Sequence, residues 1–124
     1  MTTEALGYIN TCLEGLNIPY EFGEWTSDVP DTFWTGDYTE IEQESEDGYE
    51  ESTFILTGNT KKSKLELESV KTKLKEYFGN EGRTAILASG AGIAVFYAVS
   101  NPIPSVEESV HRLEITLRVK EWRI

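Results

Sequence analysis

The chain has 124 residues, a formal net charge of −11 and a hydrophobic fraction of 39%, which suffices for one domain with its own core. Its single cysteine, Cys12, excludes an internal disulfide and a cysteine-based metal cluster. No apolar run approaches the roughly 18 residues of a membrane span, and the first residues lack the regions of a signal peptide. We therefore expect one domain over residues 1–124, made in a reducing cytoplasm and not secreted, with no membrane partner.

Charge is divided unevenly along the chain. The first 60 residues contain fourteen acidic residues and no Lys or Arg, whereas the remainder contains eleven basic and eight acidic residues. An acidic surface repels DNA, so we expect no sequence-specific contact with nucleic acid. The two halves are also complementary, which would let identical copies pack head-to-tail, as a ring requires. A solvated acidic face that keeps the protein soluble is the simpler alternative.

A first helix is predicted at the start of the chain. Thr2 or Thr3 is positioned to cap it, and Pro19 lies just beyond its end. Cys12 flanks the apolar stripe and is expected to be a buried structural thiol. The stripe has helical spacing and consists of Leu6, Ile9, Leu13 and Leu16.

Three strands are predicted next, over residues 20–25, 33–43 and 49–57. Residues 44–48 form the turn between the last two, because an Asp-Gly pair is a strong hairpin signal. The Gly58-Asn59 pair is expected to end the third strand. The result is a long acidic hairpin that spans residues 40–51.

The second helix has the clearest boundaries. Ser63 and Glu66 have the spacing of a capping box, in which each side chain bonds a free backbone amide of the other residue. Gly79-Asn80 is expected to close the helix. The core-facing stripe is Leu67, Val70, Leu74, Tyr77 and Phe78.

Three more strands follow, over residues 84–88, 93–99 and 110–122. In the last strand, Leu113, Ile115, Leu117 and Val119 alternate with polar residues, which is typical of a strand with one buried face. Residues 93–99 are apolar on both faces. That strand is therefore either covered on both sides or in contact with another subunit. Residues 101–104, Asn-Pro-Ile-Pro, are expected to form a loop.

These elements predict an α+β fold with a mostly antiparallel sheet of five to six strands. The order along the chain is helix, three strands, helix, three strands. Two helices on one face of such a sheet are the natural packing.

The sequence contains no catalytic signature. The glycines of Ser89-Gly-Ala-Gly92 lead into a strand and not into the helix that a phosphate loop needs. His111 is the only histidine, and the acidic runs lack the spacing of a calcium loop. We therefore expect no enzyme activity, catalytic residue, metal site or cofactor.

Aromatic residues at predicted strand ends are the best candidates for protein contacts, because buried aromatics anchor many interfaces. Trp25 and Trp34 are the preferred ones, although core packing would also explain them. Further candidates are the aromatics Phe33, Tyr38 and Trp122 and the hairpin acids Glu42, Glu44, Glu46 and Asp47.

Several short motifs in this order resemble small proteins encoded in the structural gene clusters of tailed phages and prophages of Gram-positive bacteria. The motifs are Ile18-Pro-Tyr20 before Trp25, Phe33-Trp-x-Gly-x-Tyr38, Asp47-Gly48, Thr53-Phe-Ile-Leu-Thr-Gly58, Leu67-Glu68 with Lys71, Asn101-Pro-Ile-Pro104 and Lys120-Glu-Trp122.

The element order is similar to that of phage tail-terminator and tail-completion proteins. This resemblance implies a virion protein of the tail or neck that forms a ring, a hexamer in that family, between the tail-tube protein and the head connector. Its acidic hairpin would line a lumen that passes DNA, or reach a neighbouring subunit. The alternative is a small acidic binding protein that mimics DNA and occupies a host nucleic-acid-binding protein.

Overall fold

The computed structural model describes residues 1–26, 28–41, 48–105 and 107–122. Two helices and six strands alternate along the chain as helix, three strands, helix, three strands. The helices are α1 (Thr3–Gly15) and α2 (Lys64–Phe78). The strands are β1 (Tyr20–Phe22), β2 (Thr32–Ile41), β3 (Tyr49–Thr60), β4 (Arg83–Ile86), β5 (Gly92–Ile103) and β6 (His111–Trp122). The predicted α+β class is therefore confirmed.

All six strands form one sheet in the order β1-β2-β3-β6-β5-β4. β1 is parallel to β2, whereas the other four pairings are antiparallel, so the sheet is mixed. Because β1 and β2 are parallel neighbours, the connection between them must return the chain to the end of the sheet at which β1 begins. At the centre, β3 pairs with β6 over twelve residues, from Tyr49 opposite Trp122 to Thr60 opposite His111.

One face of the sheet packs against the helices and forms a single hydrophobic core. Helical spacing places Ile9 and Leu13 of α1 and Leu74 of α2 on the buried side, and each is fully buried. The predicted alternation in β6 is confirmed, because Leu113, Ile115, Leu117 and Val119 all lie in this core. Cys12 is buried as expected and lies 3.7 Å, Sγ to Oη, from Tyr77 of α2.

Capping contacts fix the start of each helix. The Thr2 hydroxyl oxygen accepts from the Ala5 amide at 3.1 Å, and the same hydroxyl donates to the buried carboxylate of Glu121 at 2.7 Å. This second bond joins α1 to the end of β6. At α2, Ser63 is the N-cap as expected, but its hydroxyl oxygen accepts from the Leu65 amide and not from the Glu66 amide of the predicted capping box. Glu66 accepts from the Thr32 hydroxyl at 2.6 Å instead, so α2 is joined to β2.

Two strands extend beyond the breaks that the sequence predicted. β3 continues through Gly58 to Thr60, because the missing side chain of Gly58 makes room for the Trp34 ring on the paired strand. β5 continues through Pro102 to Ile103, after a bulge between Tyr97 and Val99. β4 pairs with β5 only from Gly92 to Val95. Among the described residues, no strand therefore pairs with the outer side of β5 at Pro102, and the missing amide hydrogen of this proline leaves no ladder hydrogen bond unmade there.

Aromatic rings occupy the space above two glycines on the helix side of the sheet. A Cβ on Gly58 would lie 2.6 Å from the six-membered ring of Trp34. A Cβ on Gly36 would lie 2.6 Å from Phe54 and 2.7 Å from Tyr20. Real Cβ atoms do not approach so closely, so these glycines are required by packing and not by backbone freedom.

We predict that Gly58→Ala lowers the free energy of unfolding by about 1–3 kcal/mol, the usual cost of overpacking a core. Gly7→Ala is the matched control. Its Cβ meets nothing within 4 Å on α1, and alanine favours a helix by up to about 1 kcal/mol over glycine. Urea denaturation of both variants measures the difference. If Gly58→Ala is as stable as the wild type, the Trp34–Gly58 packing is wrong.

Candidate interaction surface

The predicted contact residues Trp25 and Phe33 lie together at one end of the sheet. Their rings are 5.6 Å apart in a tilted arrangement, and the Trp25 indole N–H donates to the Asp28 carbonyl at 3.2 Å. Phe33 is on the sheet face opposite the helices, which we call the open face. Both side chains are half-buried, so part of each ring remains on the surface.

Trp34 is not a surface residue, and the expectation that it makes external contacts is wrong. Its side chain is 0% exposed and packs across β2 and β3 onto Gly58. The adjacent residues Phe33 and Trp34 face opposite sides of the sheet, and only Trp34 points toward the helices. Its indole N–H has no hydrogen-bond partner among the described residues, so packing alone positions the ring.

Tyr38 and Trp122 occupy two further positions far from Trp25. Tyr38 stacks on the exposed ring of Phe22 at a centroid distance of 6.1 Å, beside the β1 edge. Trp122 packs on Tyr49 at 5.7 Å, at the opposite end of β6 from the row that contains Phe33. The predicted aromatics therefore do not form one patch. The hairpin acids Glu42, Glu44, Glu46 and Asp47 lie outside the described residues.

Long cationic side chains cover the apolar residues on the open face of β5. Lys120 lies 5.6 Å from the Phe96 ring centroid, and Arg118 lies 5.8 Å from it while bonding Glu51 at 2.8 Å. Phe96 also packs over Gly82, where a Cβ would come within 2.5 Å of the ring. The aliphatic parts of Lys120 and Arg118 therefore shield Phe96 on this face, whereas Val99 of the same apolar run stays exposed.

Exposed large hydrophobic residues lie mainly toward the two lateral edges of the sheet. Toward the β1 edge are Phe22 and Val29, together with Leu65 of α2, which shares a groove with Pro19 and Thr32. Toward the β4 edge are Ile86, which is 80% exposed, and Val99. Among the described residues, the only other exposed large hydrophobic is Trp122, at the end of β6.

Charge is also separated between these edges. Residues 20–41, which include β1 and β2, contain six acidic residues and no basic one. Residues 82–105, which include β4 and β5, contain Arg83 and no acidic residue. Because the strand order places first-half strands on one side and second-half strands on the other, the division along the sequence becomes a division across the molecule. We call these surfaces the acidic edge and the acid-free edge. The second name refers to residues 82–105 alone, because the Glu4 carboxylate of α1 accepts from Ser89 in the turn between β4 and β5.

Both edges are partly unpaired but poorly suited to adding another strand. Among the described residues, β1 covers only Trp34–Gly36 of β2, and β4 covers only Gly92–Val95 of β5. Charged residues on β2 and the bulge and proline on β5 are devices that prevent strand-to-strand pairing. Side-chain contacts, and not an extended sheet, are therefore the contacts that these edges favour.

Within the described residues, no group of three or more His, Cys, Asp or Glu is arranged to hold a metal ion. Neither described helix is long and apolar enough to cross a membrane. His111 is half-buried at the start of β6, opposite Thr60.

No protein-family model matches the chain, and no curated protein matches it. The resemblance to phage structural proteins therefore depends on the sequence motifs alone.

Sequence reasoning missed the exposed apolar residues at the edges. Leu65 carried a usable signal, because it falls outside the apolar stripe of α2 and follows Lys64. Val99 ends the run 93–99, whose apolar residues on both faces already indicated either coverage on both sides or a subunit contact. Ile86 carried no signal, because an apolar residue in a short predicted strand looks the same whether its neighbour is a helix or solvent. Only the strand order assigns them to an edge.

Tyr20 gives a pH-dependent test of packing at the acidic edge. Burial raises its pKa from 10.0 to about 12, because the phenolate is disfavoured there. Between pH 10 and 12 the unfolded chain loses a phenol proton that the folded chain retains, so the free energy of unfolding falls as pH rises. Below pH 10 this contribution is constant.

We predict that Tyr20→Phe loses less stability than the wild type between pH 10 and 12. Denaturant titrations at several pH values measure both curves. Tyr8→Phe is a useful second variant, because burial also raises the Tyr8 pKa to about 12. Parallel curves for Tyr20→Phe and the wild type would show that the Tyr20 phenol is not protected by folding.

Proposed function

We propose that this protein is a structural component of a phage virion, either a tail terminator or tail-completion protein or a head–tail joining protein. It assembles as a ring at the end of the tail tube and contacts the tube protein on one side and the head connector on the other. Resemblance of the sequence motifs supports the phage context. The tail-terminator likeness of the fold, the hexameric count and the location in the tail or neck are parts of the same proposal.

The observation that carries the proposal is the opposite character of the two lateral edges. A ring needs a heterologous contact, in which one surface of a copy meets a different surface of the next copy. The acidic edge offers Phe22 and Val29 among carboxylates, and the acid-free edge offers Ile86 and Val99. The single base of residues 82–105, Arg83, packs on the Tyr77 ring of α2. Complementary charge guides two such surfaces into register, and the apolar residues supply contact area.

The same edges suggest that assembly depends on a template. In the part of the chain that the structure describes, each edge exposes only two or three large apolar residues, whereas a stable contact buries about 800 Å² on each partner. Free copies would then associate weakly, and the end of a tail tube would bring them together. This explains how a joining protein avoids forming rings before a tube is available.

Mixing the protein with the tail-tube protein of the same genome is the primary experiment. Negative-stain images are expected to contain tubes of limited length with a ring at one end. The acidic edge alone would also suit the rival DNA-mimic function. If the protein leaves tube assembly unchanged and captures a nucleic-acid-binding protein as a monomer, the ring proposal fails and the mimic is favoured.

We predict that the sign of a charge placed at Ile86 decides assembly. Ile86→Glu puts a carboxylate opposite the acidic edge of the next copy and weakens association, whereas Ile86→Lys strengthens it. An exposed charge pair contributes up to about 1 kcal/mol, or about fivefold in the association constant for each contact. Sedimentation velocity at low and high salt measures the effect, because salt screens such contacts.

The two Ile86 variants control for each other, since the side chain is exposed and neither change affects the core. Asp28→Lys on the acidic edge is expected to restore association of Ile86→Glu. If Glu and Lys at residue 86 behave alike at every salt concentration, the two edges do not meet. If the single variants differ but Asp28→Lys rescues nothing, the acid-free edge meets another part of the neighbouring copy.

A further inference from the structure

A cleft lies at the end of the sheet where β2 and β6 begin and where β3 and β5 end. Its volume is about 430 Å³, within the range of small-ligand sites. Phe33, Asn59 and Arg112 form its floor, as one row of paired residues across β2, β3 and β6. Pro30 and Pro104 are among the residues that enclose it.

Within this floor, Asn59 holds the side chain of Arg112 in a fixed orientation. Its Nε–H donates to the Asn59 side-chain oxygen at 3.1 Å, and the side chain is half-buried. That bond fixes the plane of the guanidinium group. The terminal amino groups have no hydrogen-bond or ion-pair partner among the described residues. A planar group with two adjacent free donors matches a carboxylate, which it can bind through two parallel hydrogen bonds.

The residues around Arg112 indicate which chemical groups, besides a carboxylate, a ligand of this cleft would carry. The Phe33 ring, which packs against Trp25, adds an apolar surface to the same cleft. Pro30, Pro104 and Val110 add further apolar surface, and both prolines are exposed, so the cleft is open to solvent on that side. At the rim, Lys61 adds a positive charge, whereas the exposed carboxylates of Asp31 and Glu107 disfavour a ligand that carries several negative charges.

We propose that this cleft binds a small apolar monocarboxylic acid. The carboxylate pairs with the free amino groups of Arg112, and the apolar body lies between the Phe33 ring and the two prolines. The cleft takes Pro30, Asp31 and Phe33 from the stretch that defines the acidic edge and Pro104 and Ser105 from the stretch that defines the acid-free edge. Its test uses the free chain and does not require ring assembly. Its residues come from β2, β3 and β6 and from the connections before β2, after β3 and after β5.

The test is a titration of the full chain with 3-phenylpropionate, followed by amide chemical shifts in NMR spectra. Saturable shifts are expected at Phe33, Asn59 and Arg112. The uncharged probe 3-phenylpropionamide keeps the apolar body, and it is expected to bind at least about tenfold more weakly, because it cannot form the charged pair. Acetate, which keeps the charge and lacks the body, is expected to give no saturable shift.

Arg112→Gln is expected to weaken 3-phenylpropionate binding by about tenfold or more. Arg118→Gln is the matched control, because Arg118 lies on the same face of β6 and bonds Glu51 far from the cleft. It is expected to bind as the wild type does. If Arg112→Gln unfolds, Arg112→Lys retains the charge without the planar fork and is expected to bind more weakly than the wild type.

Three outcomes would overturn the proposal. One is the absence of saturable shifts in the wild type, and another is equal binding of the acid and its amide. The third is equal weakening by Arg112→Gln and Arg118→Gln, which would indicate a general effect of charge. None of these outcomes involves tube assembly. A negative binding result would therefore not contradict the ring proposal, and a negative assembly result would not contradict ligand binding in the cleft.

Discussion

Close packing of aromatic rings on glycines is the constraint on which the rest of this structure depends. Trp34 lies over Gly58, and Tyr20 and Phe54 together occupy the space above Gly36. These contacts span β1, β2 and β3, so they fix the register of the acidic half of the sheet under the helices. A single methyl group at either glycine would push a fully or largely buried ring out of a core that has no spare volume. Shape, more than hydrophobicity alone, therefore specifies this side of the fold.

The elements that sequence reasoning located were those with a repeating pattern. The stripe of α2 and the alternation of β6 both extend over many residues, so helix and strand periods are easily distinguished. Failures occurred where a single residue has a partner from a distant part of the chain. Gly58 and Pro102 look like breaks until Trp34 and the open edge of β5 are known. For the same reason, Trp34 was assigned to the surface although it packs in the core.

The order of the strands in the sheet determines where the charges of each half of the chain lie on the surface. A chain with an acidic first half and a mildly basic second half can fold with the two halves intermixed, and the charges would then largely cancel on every surface. Here the first three strands lie together and the last three lie together, with β3 and β6 in contact at the centre. Negative charge is consequently concentrated on one side of the sheet. The sequence contained the charges, but only the topology determined which surfaces carry them.

The central pairing of β3 with β6 also bears on how the chain folds during synthesis. Tyr49 pairs with Trp122, which is synthesised 73 positions later. The central strand pair of the sheet therefore cannot form until nearly the whole chain has left the ribosome. Contacts so distant in sequence slow folding and leave strand edges exposed in the meantime. The segment exposed longest is the one without a single Lys or Arg. Mutual repulsion between such nascent segments on neighbouring ribosomes would hold them apart until the final strand closes the sheet.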